Sequence, residues 1–518
     1  SGDRVMFTSR EASPLPGDWG HVSLYAQGNT ISHLDYEFAT NGFTGDNVSF
    51  TTIDNVVMVG NLSLSANGIY LTNSSDLTLT NNTITVAGEY GIYSSDSPNL
   101  MVDGNDVSGA SNGLYFGNSS DLTITNNTIS VMGDYGIYSP DSPNSVVDNN
   151  DISGFRQYGL RVNNSDSILV NNNSITSIIE GAECWNMSID NSNSSGSVFT
   201  NNTIYMSQPD GQVFGINTQD AIIESNTITV LSWACNYCCS DNSYSIQADR
   251  SMINENIINT DLTACCSSNK YAVISHGSED ITSIISNNII HSGYNDYNNN
   301  SYGIQASYAD LQNNIIDTRG ESISIGSYSS VIFNTITSNS TAINASNISS
   351  LTITNNTITS NSTAINASNI SSLTITNNTI SSNSTAINLN ASDVIISHNL
   401  IESQGRGVEM SNQSGGEIVN NTIISPNSAD YGIHISDLTM PVVQNNIIEG
   451  FTNGIYAEND LQNQFIQNNN LWGISEEMFS GTAMPALVGE MIDLNVNGAE
   501  CDIYSNLNMD PLFMNPDS

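Results

Sequence analysis

Apolar residues in this chain return in pairs, each followed by a polar turn. Leu351 and Ile353 alternate with Thr352 and Thr354, a two-residue period that predicts a strand with one buried face. A second short strand is expected around Ile358, just past Asn355-Asn356, and a third around Ile365. The set then repeats, because the word NSTAIN begins at Asn339, Asn361 and Asn383, a period of 22 residues. A fixed period of that size marks a solenoid, in which no turn can bury its apolar face without its neighbours.

Two ladders carry the pattern along nearly the whole chain. The first is Gly/Ala-Ile/Leu-X, as at Gly68-Ile69-Tyr70, Gly91-Ile92-Tyr93, Gly215-Ile216-Asn217, Ala342-Ile343-Asn344 and Gly454-Ile455-Tyr456. Its aliphatic residue is expected inside and the residue after it outside. The second is an Asn followed within two residues by an aliphatic, running from Asn82, Asn105 and Asn127 to Asn421, Asn446 and Asn470. Asn tolerates the left-handed backbone of a tight corner. Stacked in register, its amide would donate to one neighbour and accept from the other. The expectation is an all-β, single-stranded parallel β-helix with three short strands per coil and an Asn ladder at one corner. Coils run from 20 to 32 residues. About 18 of them at one strand spacing each would make a rod roughly 85 Å long. Three segments follow: an opening strand in 1–19, the solenoid in 20–475 with a long-loop, Cys-rich section at 174–314, and a capping tail in 476–518.

The pattern L-T-I-T-N-N-T-I followed by G-I-Y resembles the right-handed parallel β-helix repeat of the pectate-lyase-like superfamily, in its secreted and cell-surface branch. Pro16-Gly17-Asp18-Trp19-Gly20 and Asp510-Pro511-Leu512-Phe513 look like the flanks of such helices. The resemblance implies a right-handed coil and, in pectin-cleaving relatives, a groove on the outside of the third strand. It is specific for fold and poor for function. On that third strand the outward positions are Tyr70, Tyr93, Tyr115, Tyr138 and Arg161, which would form an aromatic strip. Such a strip either stacks on sugar rings or packs on itself.

Charge narrows the partners. Lys and Arg number 8 against 51 acidic residues, a net charge of −43. That balance excludes DNA, RNA and anionic membrane surfaces, which need cations on the protein. No apolar run approaches the length of a membrane span. Ser1 opens directly on the strand-like Val5-Met6-Phe7-Thr8, as in a processed piece of something longer. Neighbouring carboxylates such as Asp54 and Asp76 could share Ca²⁺, the one cofactor the sequence suggests; capping of a turn is the plainer explanation.

The long-loop section holds six of the 7 cysteines: Cys184, Cys235, Cys238, Cys239, Cys265 and Cys266. With many N-X-S/T sequons and an exterior location, disulfides are the expectation, and a zinc site is the alternative. Cys501 is the candidate for an unpaired thiol. If this section were catalytic, Lys270, Arg250, Asp261 and His276 would carry it, the base being Lys or Arg. Asn259-Thr260-Asp261 echoes one polygalacturonase signature, but its companion motifs are absent. Glycosylation candidates are Asn81, Asn126, Asn172, Asn201, Asn355, Asn377 and Asn420 beside the corner, with Asn339, Asn344, Asn361, Asn366 and Asn383 elsewhere.

The sequence therefore reads as an extracellular, glycosylated, structural or adhesive surface protein: a stalk, sheath or filament subunit. Its partners would be itself, end to end or laterally, or adjoining domains of a longer chain. The alternative is a polysaccharide-binding or polysaccharide-cleaving β-helix, lyase or hydrolase, using a groove beside residues 183–319.

Overall fold

A computed structural model describes residues 4–61, 67–178, 185–208, 212–232, 242–262, 269–293, 301–412, 414–436, 439–458, 466–482 and 484–513. Among these every regular element is a strand, so no helix is long and apolar enough to cross a membrane. The chain forms two compact units. The first comprises Ser1–Ile274 with Asn295–Asn298, and the second Ser275–Tyr294 with Asn299–Ser518.

Each unit is a parallel β-solenoid whose coils repeat a first, second and third strand. In the second unit Leu351–Thr354 pairs in register with Leu373–Thr376, Thr357–Ser360 with Thr379–Ser382, and Ile343–Ile348 with Ile365–Ile370. The 22-residue word is thus one coil. Leu351, Ile353, Ile358 and Ile365 are all at most 1% exposed, and each lies against its equivalent one coil on. Alternation holds on the first two strands, where Thr352, Thr354, Thr357 and Thr359 face out.

On the third strand alternation breaks. Gly91 and Ile92 are both buried, and Tyr90 and Tyr93 on either side are only partly covered. Two consecutive residues turn inward here, so the first must be small: glycine in many coils, serine at Ser188 and Ser245, alanine at Ala342 and Ala364. A Cβ on Gly91 would lie 2.2 Å from Val107 Cγ1, and one on Gly113 would lie 2.4 Å from the Gly136 carbonyl oxygen. Glycine stands at these positions because the neighbouring coil leaves no room for a methyl.

The corner Asn ladder is present in both units. In the first, the backbone N–H and the side-chain Nδ2 of Asn82 both donate to Asn105 Oδ1, at 3.0 and 2.9 Å, and Asn105 does the same to Asn127. The series continues to Asn226 and Asn256. In the second unit it runs from Asn288 through Asn314, Asn334, Asn356 and Asn378 to Asn446. Asn356 and Asn378 are immediate neighbours, with the Asn356 Nδ2 to Asn378 Oδ1 bond 3.0 Å long.

Three sequence expectations need correction. The left-handed residue at the corner is the one before the ladder Asn: Asn81, Asn126, Asn355 and Asn377 have φ of 54 to 57°, and the ladder residues themselves do not. The last of the repeating members is Asn469, not Asn470, because Asn468 takes the left-handed position and Asn469 accepts from Asn446. A run of three asparagines leaves the period alone unable to choose. The coil also outlasts residue 475, since Glu477–Ser480 pairs as a third strand with Asn453–Ala457.

The tail then closes the ladder. Asn469 donates to Asn506 Oδ1, and Asn506 in turn donates its N–H and its Nδ2 to the carboxylate of Asp502, both at 2.9 Å. That carboxylate also accepts from the N–H groups of Tyr504 and Gly489, and Asp502 is 1% exposed. Cys501 beside it is buried and free.

Candidate functional site

The outer face of the third sheet in the first unit gathers the most chemistry. Strand register places Tyr70, Tyr93, Tyr115, Tyr138, Arg161, Asp190, Asn217 and Gln247 in one column, one residue per coil. Three residues earlier on each strand lies a second column, of Tyr90, Asn112, Tyr135, Tyr158, Met187, Phe214, Tyr244 and Tyr271. The break in alternation at glycine is what brings two adjacent columns to the same face. Eight coils at one strand spacing each give the face a length of about 34 Å.

Its rings lie against one another. Tyr70, Tyr93 and Tyr115 are stacked at centroid distances of 4.5 and 4.7 Å, within 5° of parallel. Tyr138 turns edge-on to Tyr115, at 81°, and stacks instead on Tyr135, which stacks on Tyr158. Phe214, Tyr244 and Tyr271 form a further stack at 4.9 and 5.5 Å. The rings therefore pack on one another, and Tyr70, Tyr93, Tyr115 and Tyr138 stay partly exposed.

Arg161 ends the tyrosine series. Its guanidinium sits 4.4 Å from the Tyr158 ring centre and 5.3 Å from that of Tyr138, and Nε is 3.1 Å from Asp190 Oδ2. Asp190 is 3% exposed and also accepts from Asn217 Nδ2. Burial pushes the phenols of Tyr90 and Tyr158 up to about 12, with the Glu89 carboxylate beside Tyr90 adding to it and Arg161 opposing it at Tyr158.

Within the first unit Lys270, Arg250 and Asp261 do not converge. Lys270 opens its third strand, is 3% exposed, and donates to Ser243 Oγ at 3.2 Å. Arg250 lies past the other end of that sheet, seven residues beyond Ser243, with which Lys270 is level, or about 23 Å along the strand. There it is held by both oxygens of Asp220, at 2.8 and 2.6 Å. Asp261 belongs to a second strand, in register with Leu231. His276 lies in the second unit, Nδ1 3.0 Å from Ser307 Oγ.

Asp54 and Asp76 are likewise apart. Asp54 is level with Thr80 and accepts from Thr80 Oγ1 and Asn81 Nδ2, whereas Asp76 lies in the turn before that strand and accepts from Asn99. Among the described residues no three His, Cys, Asp or Glu side chains are grouped as a metal would require. Cys184, Cys235, Cys238, Cys239, Cys265 and Cys266 lie outside the described residues.

The corner sequons Asn81, Asn126, Asn172, Asn201, Asn355, Asn377 and Asn420 are exposed, and several are already bonded through Nδ2, as Asn126 is to Asp103 Oδ1. In the second unit Asn383 donates to Asn361, Asn361 to Asn339, Asn366 to Asn344, and Asn344 to Glu321.

Sequence reasoning had the first five residues of the outer column but not Asp190, nor the second column. The signal was available: in six of the eight coils of the second column the residue before the ladder glycine or its replacement is aromatic, at Tyr90, Tyr135, Tyr158, Phe214, Tyr244 and Tyr271. Assuming strict alternation hid it.

The family described as "Right handed beta helix region" matches residues 41–192, 112–317, 271–423 and 385–497. No curated protein matches. Similar solved structures include a DFA-IIIase variant from Arthrobacter chlorophenolicus A6 in complex with DFA-III, at 11% identity and TM-score 0.35, covering 57% of this chain and 85% of that one. A periplasmic alginate epimerase aligns at 11% identity and TM-score 0.28, covering 54% and 76%. The Yersinia enterocolitica family 28 exopolygalacturonase aligns at 10% identity and TM-score 0.20, covering 61% and 72%. At these values the likeness is one of fold alone.

Proposed function

Because the chain belongs to the right-handed β-helix family, we propose that it is an extracellular polysaccharide-binding β-helix protein, holding a glycan along the outer third sheet of its first unit. One observation carries this reading. The tyrosine series at Tyr70–Tyr138 and the polar series Arg161, Asp190, Asn217 and Gln247 form a single in-register column beside a second aromatic column. Ring edges and phenol hydroxyls supply apolar contact and hydrogen bonds together, and amides with an ion pair extend the same track. A glycan lying along the coil axis would meet one such residue per coil.

Binding rather than cleavage is what these side chains offer. Among the described residues Asp190 is the sole carboxylate in the two columns, it is tied to Arg161, and hydrolysis of a glycosidic bond normally needs two. The protein then acts as a surface or matrix component that grips a glycan, which keeps the adhesive part of the sequence reading.

The test is affinity electrophoresis and calorimetry against a polysaccharide panel. Wild type is expected to be retarded by at least one polymer. Y93A/Y115A is expected to lose at least tenfold in affinity while its far-ultraviolet circular dichroism stays that of wild type. A panel in which no polymer binds, or a double variant that binds as wild type does, overturns the proposal.

A further inference from the structure

Glycans divide by charge, and the surroundings of the track bear on which kind it takes. Glu89 immediately precedes Tyr90 in the second column. Asp96 follows the strand that carries Tyr93, Asp141 follows the one that carries Tyr138, and Asp46 ends the strand paired with Tyr70. All four carboxylates are exposed. Their field reaches the rings: Glu89 and Asp46 act on the Tyr70 phenol, and Asp141 and Asp96 on Tyr115, each adding to the effect of burial.

Two cations stand against these four: Arg156, exposed two residues before Tyr158, and Arg161 in the track itself. Arg161 is sandwiched by Tyr138 and Tyr158 and spent on Asp190, so it presents no unneutralised charge to a ligand. Lys270 is buried at the far end, and Arg250 is held by both carboxylate oxygens of Asp220. Elsewhere the molecule offers no relief, at a net charge of −43.

We infer that the third-sheet track of the first unit selects neutral polysaccharides and rejects polyuronates. This rests on the reading of that face as a glycan site. A neutral chain gives hydroxyls to the phenols and amides at no electrostatic cost. A uronate chain laid along the same path puts a carboxylate on every residue between Glu89 on one edge of the face and Asp46, Asp96 and Asp141 on the other. Like charges facing one another across a binding surface lower affinity, and salt screens the penalty because these groups are exposed. Discrimination is thus by repulsion built around a neutral stacking surface.

The experiment uses the full chain and pairs of oligosaccharides differing only at C6: cello- and manno-hexaoses against their C6-carboxylate counterparts. Binding is measured in chelator at low salt and again at about 0.5 M salt, where the screening length falls to a few ångströms. The neutral member of at least one pair is expected to bind at least tenfold tighter at low salt, with the gap narrowing at high salt. E89Q/D96N/D141N is expected to raise uronate affinity and leave neutral affinity unchanged. If the uronate binds as tightly as its neutral partner, or the triple variant leaves the ratio unmoved, the selectivity is overturned while the glycan site stands. If neither member of any pair binds, both fall.

Discussion

Replacing Asn356 by Ala removes one rung of the corner ladder, and the structure says what is left behind. Asn356 Oδ1 accepts the Asn334 N–H at 2.8 Å and Asn334 Nδ2 at 3.1 Å, and its own Nδ2 donates to Val331 O, Thr354 O and Asn378 Oδ1. Asn378 Oδ1 keeps a donor in the Asn356 N–H, and Asn334 Nδ2 keeps Leu311 O and Ile332 O. Two buried main-chain groups, the Asn334 N–H and the Val331 carbonyl, lose the side-chain partner described. At ~1–3 kcal/mol for each buried group left unsatisfied, N356A should cost about 2–6 kcal/mol. A water entering the space left by the amide would bring the cost to the low end. Repeat arrays need not unfold in one step, so a local probe is better than a melting curve. Amide hydrogen exchange at Asn334 should accelerate by at least thirtyfold, the equivalent of about 2 kcal/mol. T359A, on the exposed face of the neighbouring strand, should change stability by less than about 0.5 kcal/mol. Exchange at Asn334 within threefold of wild type would refute the view that side-chain amides hold the corner.

Three further outcomes follow from the geometry. G113A should destabilise the first unit by more than the ~1 kcal/mol that glycine ordinarily costs or saves, because the new methyl meets the Gly136 carbonyl, which is backbone and cannot rotate away; urea denaturation measures it. R161M should leave Asp190 buried without its cation and cost about 3 kcal/mol, visible as faster exchange in Tyr158–Arg161 and its neighbours; no change would mean the pair is solvated. Tyr90 and Tyr158 ionise near 12 when folded, against about 10 when unfolded, so the unfolded chain loses protons first. Their contribution is complete below about pH 10 and is lost as pH rises through 12; ultraviolet titration of Y90F/Y158F should show a late phase smaller by two phenols, with Tyr36 still in it, and an unchanged curve would contradict the burial.

How much of this could be read from the letters alone depends on what each residue does. Ile343, Ile365 and Ile387 recur because each must lie above its equivalent, so coil period and core were legible. The Asn ladder was legible for the same reason, except where Asn468-Asn469-Asn470 offered three equal choices. The left-handed corner was assigned to the wrong Asn of each pair, since both members are asparagine and only backbone geometry separates Asn81 from Asn82. The second aromatic column was hidden by a rule correct on two strands of three. The supposed catalytic group failed for a different reason: nearness in sequence, as between Arg250 and Lys270, becomes the length of a whole strand once the chain is coiled. Asp190 could not be ranked from sequence at all, because its weight comes from Arg161, one coil back.

The bonds from Asn to Asn have a direction: in the second unit each described rung donates to the next Asn toward the C-terminus and accepts from the one before. Such a series needs a final member that only takes, and a carboxylate, lacking hydrogen to offer, is suited to be that full stop. Since Asp502 lies beyond the last repeat, growth and termination are written in separate places. A gene that copies its 22-residue word lengthens the product without having to invent a new ending.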